Sequence, residues 1–549
     1  MSIMLGALEI DDALVLKQLR QDLKDDWYPD PRKYDDVFNQ ELVQKILTDN
    51  FEANHGAFHP GARHALNIPK SNFTLRSALE TSISDRVMYH GLGAALVPLY
   101  DPLMPWQVFS HRYNDHQLAE KHLFRPGVQS WVAFIGVVRS TLIPDPDEPS
   151  VFALLSTDLT NYFDNIDIEK LKTALEDLLP EVTGSAALKA DARARIQTLF
   201  QCLDSWTYKP GYGLPQNRDV SSFLANIYML AVDRAMLGKG YKYFRYMDDI
   251  KIACDDSYGA RKALKDLSIE LRKIGLSVNS KKTVICEPGD VVQIDQCLDT
   301  LNTELLELDA IWKTRRVRVI SRSFAALRDL TLRLLEDRQV DSREFRFCIA
   351  RLELLALCEE FAAPAAYFAG ITPLIIDALS RFPAATDQLA RYLRAVPTGD
   401  ADLRKIGAHL MHVKKNIYSW QNYRLWVLLA QKDFRDPALV AYAKELVRDS
   451  PDGPTRCGAT MYLGATGGLD ERLAIADSFH TLETFMGQRN ALIAIQELNY
   501  REHVLGPVQP HVRADLKGVW RGLGGAGVYF APPERRSITW LVDGERDYE

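Results

Sequence analysis

The chain has 549 residues, 47% of them hydrophobic and 25% charged, and a formal net charge of −7. That length predicts two or three domains, and the composition is that of a globular protein, which excludes disordered, collagen-like and disulfide-stapled classes. An acidic balance also excludes binding of nucleic acid by bulk charge, so only local basic clusters can serve that purpose.

The N-terminal run Ile3-Met4-Leu5 meets Glu9, Asp11 and Asp12 before a signal core can form, which argues against secretion, and no 18-residue apolar stretch predicts a membrane span. Residues 1–60 are expected to form a helical segment. The seven cysteines are odd in number, scattered, and lack a Cys-x-x-Cys pair. They predict reduced thiols and a cytoplasmic chain, with neither a zinc module nor a disulfide framework.

From Val151 to Thr157 the chain reads as an apolar strand, and it ends in an acid, Asp158, before a turn leads to the helix-like Ile168–Leu171. The carboxyl end of a strand is where open sheets put their ligands. The loop Gly213-Leu214-Pro215-Gln216-Asn217 follows and opens a helix carrying Ser221 and Asn226. Next, Tyr241–Arg245 and Ile250–Cys254 read as the arms of a β-hairpin crowned by Tyr246-Met247-Asp248-Asp249. Two neighbouring carboxylates repel each other, and a turn that holds them together is explained if hard divalent cations neutralise them. A solvated turn would account for Asp248 and Asp249 alone, and a helix N-terminal acid for Asp158 alone. Together they point to a two-metal site in which Mg²⁺, or alternatively Mn²⁺, clamps an attacking 3′-hydroxyl and a leaving pyrophosphate.

Gly275-Leu276 and Lys281-Lys282-Thr283 come next, followed by the basic residues Lys313, Arg315, Arg316, Arg318 and Arg322. Past residue 300 the pattern is helical almost throughout. Arg456–Leu463 and Arg489–Ile495 begin 33 residues apart, a weak internal repeat that suits stacked helix pairs of HEAT type or an irregular bundle.

These segments stand in the order and spacing of the motifs of reverse transcriptases: Asp158, the Gly213–Gln216 loop with its helix, the Tyr246–Asp249 hairpin, and Gly275-Leu276 with Lys282-Thr283. Upstream, Ile68-Pro69-Lys70, Arg76 and Asp85-Arg86-Val87 resemble the fingers segment of the same enzymes. The resemblance covers about residues 60 to 300. It implies an α+β fold, with a right-hand fingers-palm core over 61–300 followed by a thumb-like and all-α, HEAT-like helical-repeat domain over 301–549.

Asp158, Asp248 and Asp249 would then be catalytic and hold the metal, with the carbonyl of Leu159 as a further oxygen ligand. Lys70 and Arg76 match cations that neutralise an incoming triphosphate, and Gln216 falls in the nucleotide-binding loop. Phe163 matches a steric gate whose ring leaves no room for a 2′-hydroxyl, and Lys282 matches a general acid for the departing pyrophosphate, with Lys281 beside it.

The chain departs from the family at Asn217, where enzymes that copy long templates have glycine. The variant loop and the long helical region resemble the abortive-infection and related defence-associated bacterial reverse transcriptases. That likeness implies dNTP substrates, a protein-primed and template-independent reaction, a single-stranded DNA product attached covalently, RNA as a further partner, and a trimer or hexamer in the cytoplasm. The alternative is a conventional RNA-templated enzyme of retron or group II intron type; the retron thumb signature Val-Thr-Gly stands here at Val182-Thr183-Gly184, between the first two palm motifs. A nucleic-acid-binding scaffold with a relic palm is the third reading.

Overall fold

Strand-forming runs give three sheets among the described residues of the computed structural model, which are 2–5, 8–23, 26–36, 40–115, 123–143, 152–298, 303–361, 363–517 and 527–532. β1 (Ser2–Leu5) pairs with β2 (Leu8–Asp11), and β3 (His64–Pro69) with β4 (Leu75–Glu80). β5 (Ala153–Thr157), β6 (Lys242–Tyr246), β7 (Asp249–Cys254) and β8 (Val284–Cys286) form a four-stranded antiparallel sheet in the order β6-β7-β5-β8. The N-terminal segment expected to be helical carries the helices Asp12–Asp22 and Gln40–Ala53 but opens with the first hairpin. Leu8 and Ile10 are buried while Glu9 and Asp11 are exposed, a period of two that suits a strand, and helix begins only at Asp12.

Contacts gather the chain into two units, Met1–Asp25 with Leu47–Ala65 and Ile83–Thr300, and Asp26–Ile46 with Leu66–Ser82 and Leu301–Glu549. In the first unit β5 is buried along its whole length, as the apolar run from Phe152 to Thr157 predicts; Val151 lies outside the described residues. One sheet face packs Leu154, Phe244 and Ala253 against Phe134, Val138 and Leu142 of the helix Gly127–Leu142. The helix Asp219–Gly238 is long and apolar enough to cross a membrane by length and composition, contrary to the sequence expectation. Its apolar window is 78% buried inside the protein, the mark of a core helix.

The second unit is dominated by helices. Thr386–Ala395, Ser419–Gln431, Pro454–Thr466 and Phe485–Ala494 pack in succession as one layer, and Thr372–Arg381, Asp400–Met411, Pro437–Asp449 and Leu469–Ser478 form another beside it. The two segments spaced by 33 residues fall on successive members of the first layer. Tyr28, Ile68 and Ala78 are buried in one cluster with Trp420, Tyr423, Cys457 and Met486, so early and late parts of the chain share a core. Arg489 cements it with a buried fork to Asp30 and Asp36 at 2.5–3.0 Å. Overall the architecture is mixed α and β.

Candidate active site

The register of the four-stranded sheet builds the site. Thr157 faces Ile250 across the β5–β7 ladder, so one step further along, Asp158 comes opposite Asp249. Tyr246 pairs with Asp249, leaving Met247 and Asp248 as a two-residue hairpin turn. Met247 has φ +54°, a left-handed conformation that favours glycine and costs about 1 kcal/mol or more for a long side chain.

That strain is held from below. The Arg245 guanidinium donates to the Met247 carbonyl at 2.9 Å and to Asn226 Oδ1 at 2.7 Å, and it forks onto Asp233 at 2.6 and 2.8 Å. Arg245 and Asp233 are both wholly buried, and Tyr243 donates to the same Asp233 carboxylate at 2.8 Å. Asn226 donates onward to the Ser110 carbonyl at 2.7 Å. Sequence reasoning missed Arg245 and Asp233. Their signal was a charged residue inside a strand, and another inside the apolar helical run Leu230–Met236.

On the acidic side, the segment after Gly275-Leu276 wraps Asp158. Asn279 N donates to the Asp158 carbonyl at 2.7 Å, Leu159 bridges Val278, and Thr157 and Thr283 share a hydroxyl hydrogen bond of 2.8 Å. Lys282 Nζ lies 2.5 Å from Asp158 Oδ2, which raises the lysine's pKa and keeps it charged, with two thirds of its side chain exposed. The other Asp158 oxygen is buried with no hydrogen-bond partner. Asp248 is pushed up to about 6, first by burial and then by the charges of Asp249 and Asp158. The three acids thus act on one another electrostatically, an arrangement that demands positive charge.

Among the described residues no group of three acid, thiol or imidazole side chains stands at metal-holding geometry. The Lys282 ammonium takes up one oxygen of Asp158. A buried oxygen without a partner beside mutually repelling acids is a donor set that fits hard divalent ions.

Beside the acids, Phe163 is half-buried and opens a short 3₁₀ turn, whereas its neighbour Tyr162 is buried and donates to the Ala225 carbonyl at 2.5 Å. Tyr162 is therefore the core aromatic of the pair. Leu214 N donates to the Phe163 carbonyl at 3.2 Å and Gln216 Nε2 to Asp164 Oδ1 at 2.7 Å, which seats the Gly213–Gln216 loop on that turn. Asn217 has φ +60°. Asparagine is the residue that tolerates this region best after glycine, so the departure from the family keeps a glycine-like backbone.

Lys70 and Arg76 lie in the second unit, at either side of the β3–β4 turn. The Arg76 guanidinium stands 5.1 Å from the Trp27 ring centre. The basic residues Lys313, Arg315, Arg316, Arg318 and Arg322 are all exposed, and Lys313 pairs with Asp309 at 2.6 Å.

The sequence model of the reverse transcriptase (RNA-dependent DNA polymerase) family matches residues 144–330, a span that contains Asp158, Phe163, Gln216, Asp248, Asp249 and Lys282. Residues 144–330 are a reverse-transcriptase domain. The chain is accordingly an enzyme of the RNA-directed DNA polymerase class, and this family works with divalent ions on nucleotides and nucleic acid. The match begins downstream of Lys70 and Arg76.

Among solved structures, the chain is similar to telomerase from Candida albicans in complex with a TWJ fragment of telomeric RNA, at 13% identity and a TM-score of 0.31, covering 84% of this chain and 68% of that one. It is also similar to apo telomerase from Candida tropicalis, at 12% identity and a TM-score of 0.32, covering 71% and 66%. Likeness that weak carries neither fold nor function across. No curated protein matches the sequence.

Proposed function

We propose that the chain is a DNA polymerase of reverse-transcriptase type in bacterial antiphage, abortive-infection defence, which extends a hydroxyl of its own chain with dNTPs and needs no template. The observation that carries the chemistry is the β5–β7 register, which brings Asp158 to Asp249 beside Asp248. Asp158, Asp248, Asp249 and the Leu159 carbonyl would hold Mg²⁺ or Mn²⁺. Bound there, the ions supply charge neutralisation for the entering and leaving oxygens.

The chain's own groups do the positioning. Lys282 is charged and turned toward the acids, where it serves as the proton donor to a departing pyrophosphate. Phe163, with part of its ring open, lies under the sugar and selects deoxynucleotides, while Gln216 carries the base-pair floor from its anchor on Asp164. Lys70 and Arg76 meet the triphosphate, and the exposed basic residues from Lys313 to Arg322 act as a thumb on the phosphate backbone.

The defence assignment rests on Asn217 and on the layered helix pairs, which we take as a HEAT-like repeat that organises a homo-oligomer, a trimer or hexamer, and RNA or product. A cytoplasmic setting fits the seven free cysteines. Tyr208, Tyr212, Tyr258 and Tyr500 are the exposed tyrosines among the described residues and are the candidate primers. A second reading has its own support: the glycine-like φ of Asn217 preserves the loop of enzymes that copy an RNA template, as retron and group II intron types do.

Purified protein with Mg²⁺ and labelled dNTPs, without primer or template, tests both readings. Label that stays with the protein until protease is added, and is absent from Asp248→Asn, supports self-priming. Extension only of a primed RNA would replace it with the templated reading.

A further inference from the structure

Six of the seven cysteines are buried, and in five of them, Cys202, Cys254, Cys348, Cys358 and Cys457, burial pushes the thiol up into an unreactive range. The remaining two differ in kind. Cys286 ends β8 and is fully buried; Cys297 ends the helix Val291–Cys297 and is partly exposed. Their sulfurs are 3.4 Å apart. The connection between them is tightly built: Asp290 N donates to the Glu287 carbonyl at 3.2 Å, and the Asp290 side chain caps the helix by accepting from Gln293 N at 3.1 Å. An S–S bond is about 2.05 Å long, so closure asks for a movement of roughly 1.4 Å.

The surroundings make the pair asymmetric. The two sulfurs lie within hydrogen-bond distance, and with Lys251 and Ser156 beside it this contact outweighs burial and lowers the pKa of Cys297. Lys251 Nζ is itself fixed by a 2.7 Å hydrogen bond to Ser156 Oγ. Cys297 is thus a partly exposed cysteine whose pKa is lowered, next to a buried partner thiol that can resolve it.

We propose that Cys286 and Cys297 form a peroxide-reactive dithiol that closes to a disulfide. The Cys297 thiolate attacks one oxygen of hydrogen peroxide, the O–O bond breaks, and with one proton taken up the products are a sulfenic acid on Cys297 and water. The Cys286 sulfur then attacks the Cys297 sulfur, the S–O bond breaks, and its hydroxyl leaves with the Cys286 proton as a second water. Two thiols are oxidised by two electrons and one peroxide is reduced to two waters. Cys286 pairs with Leu154, which lies on the same face of β5 as Asp158 and two same-face steps before it. The dithiol does not depend on the polymerase reading, since it is read by mass.

The test treats the reduced full-length protein with hydrogen peroxide, alkylates the remaining thiols, and maps cysteine peptides by mass spectrometry. The expected result is one cross-linked peptide joining Cys286 to Cys297, reversed by dithiothreitol. Cys286→Ser should instead leave a dimedone-reactive sulfenic acid on Cys297, and Cys297→Ser should remove both signals. At pH 7, iodoacetamide should modify Cys297 at least about tenfold faster than any other cysteine of the wild-type chain. Recovery of both thiols fully alkylated after peroxide, or cross-links scattered among the seven cysteines, would overturn the proposal. Should a serine variant fail to fold, the wild-type peptide map and alkylation rates still decide.

Discussion

At Asp248 the proposed metal-binding role and stability oppose each other. Burial and the neighbouring Asp249 and Asp158 charges raise its pKa to about 6, so its ionised form destabilises the folded chain when no cation is present. Asp248→Asn should therefore melt higher than wild type in EDTA, by about 1–2 kcal/mol, while losing nucleotide incorporation. Equal or lower melting would mean that the acids are not crowded as described. Arg245 gives the opposite signature. Replacing it by Met leaves Asp233 buried without its counter-charge and the Met247 carbonyl without its donor, an expected loss of about 3–5 kcal/mol in urea unfolding. Phe163→Val should narrow the preference for dNTP over rNTP at least about tenfold in kcat/KM, while an unchanged ratio would return Phe163 to a packing role.

At the scale of elements, close helix packing and open helix surface respond differently to the same change. A Cβ on Gly464, in the helix Pro454–Thr466, would come 2.4 Å from the Ala494 Cβ and 2.5 Å from its Cα. Backbone cannot step aside cheaply, so Gly464→Ala should cost about 2 kcal/mol or more and loosen the layer formed with Phe485–Ala494. Gly136, in the helix Gly127–Leu142, has nothing within 4 Å of the same atom. Gly136→Ala should stabilise by about 0.5–1 kcal/mol through helix propensity, and chemical denaturation of the two variants checks the contrast. The palm strands were legible in the sequence because an apolar run ending in Asp158 and an Asp-Asp turn between two strand-like runs leave few alternatives. The β1–β2 hairpin was not, since four-residue strands give too little periodicity to outweigh the helical pattern that follows them.

For the whole molecule, the decisive feature is that each unit draws on separated stretches of chain. Tyr28, Ile68 and Ala78 are buried in a cluster with Trp420, Tyr423, Cys457 and Met486. A chain cut at Thr300 should therefore expose these side chains, and leave Asp30 and Asp36 without Arg489. Its soluble yield should fall, and residues 26–46 and 66–82 should become early sites of limited proteolysis. Recovery of a protease-resistant 1–300 fragment would contradict this. Sequence boundaries at 60 and 300 did not anticipate such interleaving, because hydrophobic patterning reports that a face is buried and not by what.

The sequence by itself determined where the carboxylates stand, at a strand end and a hairpin tip, since with the loop and lysine segments between and after them they form a local pattern. Only the tertiary structure decided what holds those residues in place. Arg245 and Asp233 stand twelve positions apart on different elements, Lys282 reaches Asp158 from 124 positions away, and Arg489 meets Asp30 across 459. Such pairs form because a charge removed from water must find its partner wherever the packed chain brings one, and no local signal in a sequence encodes that meeting.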